Sequence, residues 1–521
     1  MISIAREPDD YKIFTEEADA GDAQVRFTLK DNYLHVYLRA EKTQPKFVML
    51  RWNYRTDEPV RVLGDTWERA YVDLSWQGLS GERFMPWYFL CANNHNEVSG
   101  CGVMVQPNSF VSFEYDSFGV TGWFDVRCGA RGVCLNGREL EIGVVISKHY
   151  VGISSFEAAT DFCAAMCPNP ILPEKPVYGG NNWYYAYGVS SGEEIRNDAA
   201  LIAELAINCE NRPFMVIDDG WQISSCTGPW LPNDKFGDMQ TIASDFRKMG
   251  VRPGIWVRLL HDEQIEREHP EWCLQTKAYK TTYLDPSHPE VQRYLSDVIA
   301  RVKGWGFELL KHDYSTYDIF GAFGFDLNGT ITNFEDWCFY DQTKTSAEIV
   351  LDFYRLIREA CGSMMVLGCN TVSHLCAGLV EINRVGDDTS GKYWSRTRTL
   401  GINSLAFRLP QNKRFYMIDA DCVGILNGNI PWELNGQWAE LLARSGTPLF
   451  VSCEQGGLNL TQKTEMQKLF SVSSLQEDQA IPLDWEYNNV PHIWNINGSI
   501  RKFDWILNSY PALLKNNIQP M

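Results

Sequence analysis

The chain has 521 residues, 45% of them hydrophobic and 22% charged, which is ordinary globular usage in a chain too long for a single core. A formal net charge of −19, with no Lys/Arg cluster to offset it, argues against nucleic acid and anionic membrane as partners and leaves a neutral small molecule. No apolar run approaches the roughly 18 residues that a membrane span needs.

Residues 1–168 read as an N-terminal β-sandwich. The segments YLHVYLRA, FVMLRWNY, RAYVDLSW, SFVSFEY and LEIGVVIS are short, rich in β-branched and aromatic residues, and separated by Gly, Asn and Asp turns. PNPILPEKP at 168–176, with four Pro in nine residues, is a stiff linker. From Val177 apolar strands alternate with amphipathic helices, the signature of βα units and a parallel sheet. Eight strands follow: VYGGNNW, PFMVIDDGW, RPGIWVRL, FELLKHDY, MMVLGCN, LVEINRVGDD, RFYMIDAD and TPLFVSCE. Over residues 177–454 this predicts an α/β fold, a (β/α)8 TIM barrel, leaving 455–521 as a small C-terminal β domain. The 15 Cys form no CxxC pair, which argues against zinc and for a reducing compartment. The start, MISIAREPDD, shows no basic-then-apolar signal segment, so a cytoplasmic location is expected.

In such a barrel chemistry gathers where the strands end. The first strand runs into Asn181, Asn182 and Trp183, and the second into Asp218, Asp219, Gly220 and Trp221. The fourth ends in Lys311, His312 and Asp313, the sixth in Arg384, Gly386, Asp387 and Asp388, and the seventh in Asp419 and Asp421. Carboxylates at four strand ends would converge and repel unless cations or chemistry compensate. With no HxH or HExxH, a metal is not expected, and Lys311 and Arg384 supply the cations. Lys311 and Asp313, two apart on a strand, point the same way, so Lys311 keeps Asp313 ionised. Glycoside hydrolysis needs one ionised carboxylate and one protonated one, here Asp313 with Asp387 or Asp388. Trp183 and Trp221 are expected to wall the sugar.

Taken in order, VIDDGWQ, GIW, LLKHD and an Arg followed by GDD resemble clan D of the glycoside hydrolases, above all family 36. That family contains α-galactosidases, α-N-acetylgalactosaminidases and raffinose-synthase relatives, and family 27 shares its barrel and mechanism. IDADCVG at 418–424 resembles the family 36 segment before the last barrel strand. The resemblance implies a retaining exo-glycosidase that releases terminal α-linked galactose or a close analogue from small carbohydrates, without a cofactor. Transglycosylation of the raffinose-synthase type and α-N-acetylgalactosaminidase activity are the alternatives, and a non-catalytic sugar-binding relative is a third. By the match, Asp313 is the nucleophile and Lys311 contacts sugar hydroxyls. Asp218 and Asp219 grip O4 and O6, and Trp183 stands near the wall. Arg384 contacts O2, and Cys369 opens the loop on the O2 side. For the acid/base, the Gly-Asp step favours Asp387, while counting four residues from Arg384 as in family 27 favours Asp388; Asp387 is the choice here. The chain departs from the family at His312, often Trp; at Arg258, often acidic; and in the loop from Cys369 to His374, often Gly-rich.

Overall fold

In the N-terminal region, inward-facing apolar residues alternate with outward ones. On strand Tyr33–Arg39, Val36 and Leu38 are buried, and on Phe47–Asn53, Val48 and Leu50 are. The computed structural model describes residues 2–4, 21–54, 59–93, 97–274, 282–324, 337–426 and 429–506. The strands form a five-stranded and a seven-stranded sheet, antiparallel apart from the pairing of Ile2–Ile4 with Phe47–Asn53. The sheets pack face to face: the Phe89 ring of one lies 6.0 Å from Phe113 and 5.6 Å from Tyr115 of the other. This region also holds a helix, Ser155–Met166, opened by a Ser154–Glu157 capping box. It buries Ala158, Ala159, Phe162, Cys163 and Met166. Gly100 on the adjoining strand leaves room for the Phe162 ring, which a Cβ there would meet at 2.7 Å.

The eight expected barrel strands are all present and parallel. They are Tyr178–Asn181, Phe214–Ile217, Arg252–Val257, Leu309–His312, Met365–Gly368, Ile382–Arg384, a seventh in two halves (Met417–Asp419 and Cys422–Ile425), and Leu449–Cys453. The seventh breaks at Asp421, whose φ is +72°. Its first half pairs with the sixth strand and its second with the eighth, and the eighth pairs with the first, which closes the barrel. Val177, Phe214, Val216, Leu309, Leu367, Ile382, Met417 and Phe450 fill the interior, with Trp183 packed against them. The stripes that predicted helices become Pro289–Gly304 and Ser346–Cys361.

After residue 454 the chain first makes a helix, Leu460–Ser473, capped by Asn459 and packed on the barrel helices Gly192–Leu205 and Trp432–Arg444. Three short antiparallel strands follow, Ala480–Pro482, Ile493–Ile496 and Ser499–Lys502. A loop of the N-terminal region reaches the barrel mouth. Ala70 donates its N–H to Val385 O at 2.8 Å and accepts from Asp387 N at 2.9 Å, as a short extra strand beside the sixth. Among the described residues no helix is long and apolar enough to cross a membrane.

Candidate active site

The fourth strand carries Lys311 and Asp313 to the barrel mouth on one face. The intervening His312 points the other way, against Phe353 and Tyr354 of the helix Ser346–Cys361. Burial pushes the His312 imidazole down to about 4, and both its ring nitrogens lack a hydrogen-bond partner among the described residues. This substitution therefore sits behind the strand rather than in the site.

Asp313 accepts from the Trp256 indole at 3.1 Å and from the Tyr314 amide at 2.8 Å. Tyr314 holds a φ of +64°, unusual for a bulky residue, and this turns its N–H onto the carboxylate. Burial by itself would raise the Asp313 pKa. Arg69, Lys311 and the two hydrogen bonds outweigh it and hold the carboxyl below its usual range. Lys311 donates to Asp218 Oδ2 at 2.7 Å, and Asn181 donates to the same oxygen at 2.7 Å. Burial alone would lower the Lys311 pKa, but Asp218 and Asp313 keep the ammonium well above its ordinary value. The first, second and fourth strands thus deliver one connected polar group.

Asp219 does something different. Its Oδ1 accepts from Gly220 N, Gln222 Nε2 and Cys226 N at 2.5–2.9 Å, and its Oδ2 accepts from Ser225 Oγ at 2.7 Å. It organises the turn after the second strand, with its acceptors already engaged. Trp221 corrects an expectation. It is fully buried between Trp230 and Trp305, and its indole donates to Trp256 O at 2.9 Å. It supports the residue that holds Asp313 and does not wall the pocket. Trp183 is half-buried above the barrel interior, its ring tilted against that of Tyr187 at 5.2 Å.

Around the sixth strand the charges are shared. Arg384, 2% exposed, pairs with Asp421 at 2.8 Å and with Asp388 at 3.1 Å, and approaches Cys369 Sγ at 3.6 Å. Tyr184 donates to Asp421, as do the N–H and hydroxyl of Thr389. Asp387 is held by Arg69 at 3.2 Å and by Arg396 at 2.8 Å. Asp388 keeps its side chain 39% exposed, with Arg69 3.8 Å away. Burial would raise the Asp388 pKa, but Arg384, Arg69 and Lys311 pull it lower. Asp419 is pushed up to about 6 by burial, with Asp421 beside it adding to the effect.

Arg69 was not among the sequence candidates. It comes from the N-terminal region, donates to Tyr71 OH at 3.0 Å and to Cys369 Sγ at 3.4 Å, and is the foremost cation acting on Asp313. Trp256 and Asn181 stood in quoted strand ends and could have been found by parity. Nothing in the sequence near Arg69 points to the barrel.

No established family model matches the sequence. The chain is 28% identical to α-galactosidase C of Emericella nidulans over 22% of its own length, and the match spans only 18% of that relative. In structure it is similar to an α-galactosidase of Thermus thermophilus solved with p-nitrophenyl α-D-galactopyranoside, at 16% identity and a TM-score of 0.64 over 94% of this chain and 100% of that one. It is also similar to a family 36 α-galactosidase of Geobacillus stearothermophilus in complex with stachyose, at 15% identity and a TM-score of 0.59 over 88% of this chain and 68% of that one. The protein shares the fold of the family 36 α-galactosidases, a TIM barrel behind a β-rich N-terminal region.

Proposed function

We propose that the protein is a retaining glycosidase of the family 36 type that releases terminal α-linked galactose. The observation that carries this is the strand-end pair Lys311–Asp313. A carboxylate held ionised against its burial by two cations and an indole hydrogen bond has the character that a nucleophile at an anomeric carbon needs. Asp313 attacks C1 and forms a glycosyl ester, the leaving oxygen takes a proton from the second carboxyl, and water then reverses the step. Asp388 is the better candidate for that second group. It is bound to Arg384, four residues before it, with Arg69 farther off at 3.8 Å, and its side chain is 39% exposed, whereas Asp387 is held closely by both Arg69 and Arg396 and is 19% exposed. Asp218 and Lys311 are the groups placed to grip sugar hydroxyls, and Asp219 serves by shaping the loop that holds Asp218. A site built to hydrogen-bond an axial O4 rejects the equatorial epimer, because its buried polar groups are then left unpaired.

In this reading the net charge of −19 disfavours nucleic acid as a partner of the protein, and the 15 free thiols suit a reducing compartment such as the cytoplasm. A panel of nitrophenyl glycosides tests the function. α-Galactoside should be cleaved and α-glucoside should not, with α-galactose as the first product by proton NMR. β-Galactose as the first product, or equal turnover of the glucoside, would overturn the assignment.

A further inference from the structure

The loop that carries Asp388 continues past it towards solvent, on the side from which a leaving group departs if Asp388 protonates it. Its course is fixed. Thr389 bonds to Asp421 and donates to Cys422 O at 2.7 Å. Gly391, at φ +76°, lies so close to the seventh strand that a Cβ there would stand 2.2 Å from Gly424 O. The next residue, Lys392, is therefore delivered across to the loop after the first strand, where its ammonium sits 3.8 Å from the Tyr187 ring centroid. Tyr187 is 40% exposed, and its ring lies 5.2 Å from Trp183, which packs on the barrel interior. Interior, Trp183, Tyr187 and Lys392 make a chain of contacts that runs outward.

The cations nearer the nucleophile are matched: Lys311 by Asp218, Arg384 by Asp421 and Asp388, Arg69 by Asp387. Arg396, further along the loop, is matched by Asp387. Lys392 is different, for among the described residues it joins no ion pair, and only the face of an aromatic ring holds it. On a chain of net charge −19, an unpaired ammonium at the mouth is a local attractor for negative charge against a repelling background.

We propose that Tyr187 and Lys392 form a leaving-group subsite that selects an anionic aglycone, the ammonium, seated over the Tyr187 ring, meeting its carboxylate or phosphate. The inference rests on the glycosidase reading above and adds the chemistry of what is attached to the sugar.

The test compares kcat/KM for matched pairs of α-galactosides that differ in charge. One arm sets 4-carboxyphenyl against 4-carbamoylphenyl galactoside; the other sets phosphoglyceryl against glyceryl galactoside. At low salt the anionic member of at least one pair should be favoured roughly fivefold, the size of an exposed ion pair. The arm that shows the preference identifies the anion. The ratio should fall to about one in Lys392→Gln, reverse in Lys392→Glu, and shrink as salt rises. A ratio near one in the wild-type protein in both arms, or one that Lys392→Gln leaves in place, would overturn the proposal. Binding of the same four compounds to Asp313→Ala, followed by calorimetry, gives the ratio without turnover. Failure of the catalytic reading is thereby separated from failure of the subsite.

Discussion

The two ends of the barrel carry comparable charge in different arrangements. At the bottom, where the strands begin, Glu308 accepts from Arg252 at 2.8 Å and Arg247 at 3.2 Å, and Glu381 pairs with Arg358 at 2.6 Å while capping Val366 N. These groups are 15–37% exposed, and the cations outweigh burial to keep Glu308 below its usual range. Water can solvate each of them if its partner is lost. At the mouth, Arg384 is 2% exposed, Lys311 8% and Arg69 8%; Arg384 pairs with Asp388 and Asp421 from two strands, Arg69 with Asp387 and Asp388, and Lys311 with Asp218. Burying such a set costs solvation that pairing alone does not reliably return, so its arrangement is better explained by chemistry than by stability.

The contrast can be broken at its strongest point first. Asp313→Ala should lower kcat/KM by on the order of 10⁴ or more. The thermal midpoint should move by only a few degrees, because Lys311 keeps Asp218 and Arg69 keeps Asp387 when the Asp313 carboxylate is gone, so no buried cation is left unpaired. A collapse of the midpoint in differential scanning would mark Asp313 as structural instead. Asp388→Ala and Asp387→Ala sharpen the next step. The true proton donor should cost about 10²–10⁴ on poor leaving groups and far less on nitrophenyl substrates. We expect that dependence for Asp388; if it follows Asp387 alone, the assignment by exposure and by Arg384 is wrong.

The third test moves the pH profile. Both Asp313 and Asp388 sit below the usual carboxylate range, and Arg69 lowers both. The kcat/KM profile, which reports free-enzyme ionisations, should therefore peak at clearly acid pH, below the ordinary carboxylate range, because Asp388 can donate only while it holds its proton. Removing the cation in Arg69→Gln raises both pKa values, so both limbs should move to higher pH, by about one unit. Unmoved limbs would mean that Arg69 only packs against the sixth strand. The smallest effect belongs to the bottom. Glu308→Gln should cost about 1 kcal/mol of stability at low salt, less at high salt, and leave turnover within error of wild type. A large catalytic loss there would erase the distinction between the two ends.

Much of this was legible because it is local. Strand parity put Lys311 and Asp313 on one face and His312 on the other, since successive side chains must alternate. Helical stripes and apolar runs marked the barrel elements, because each must bury one face. The helix Ser155–Met166 was legible too, in its Ser154–Glu157 box, but lay in a stretch dominated by strand signals.

Three things were decided only in three dimensions. Trp221 stands one residue beyond the DDG turn, and only the packing of Trp230 and Trp305 around it turned it inward. Asp387 and Asp388 share one sequence context, and they differ because Arg69 and Arg396 hold the first closely while Arg384 meets the second and Arg69 stands off from it at 3.8 Å. Arg69 itself precedes the barrel by more than a hundred residues. The sequence by itself determined which residues lie at strand ends and which way they face, because those follow from backbone geometry over a few residues. Which of them meet, and which cation lowers which carboxylate, was decided by the closing of the barrel and the seating of the N-terminal loop beside Gly386, because Coulomb interactions depend on distance in space and take no account of distance along the chain.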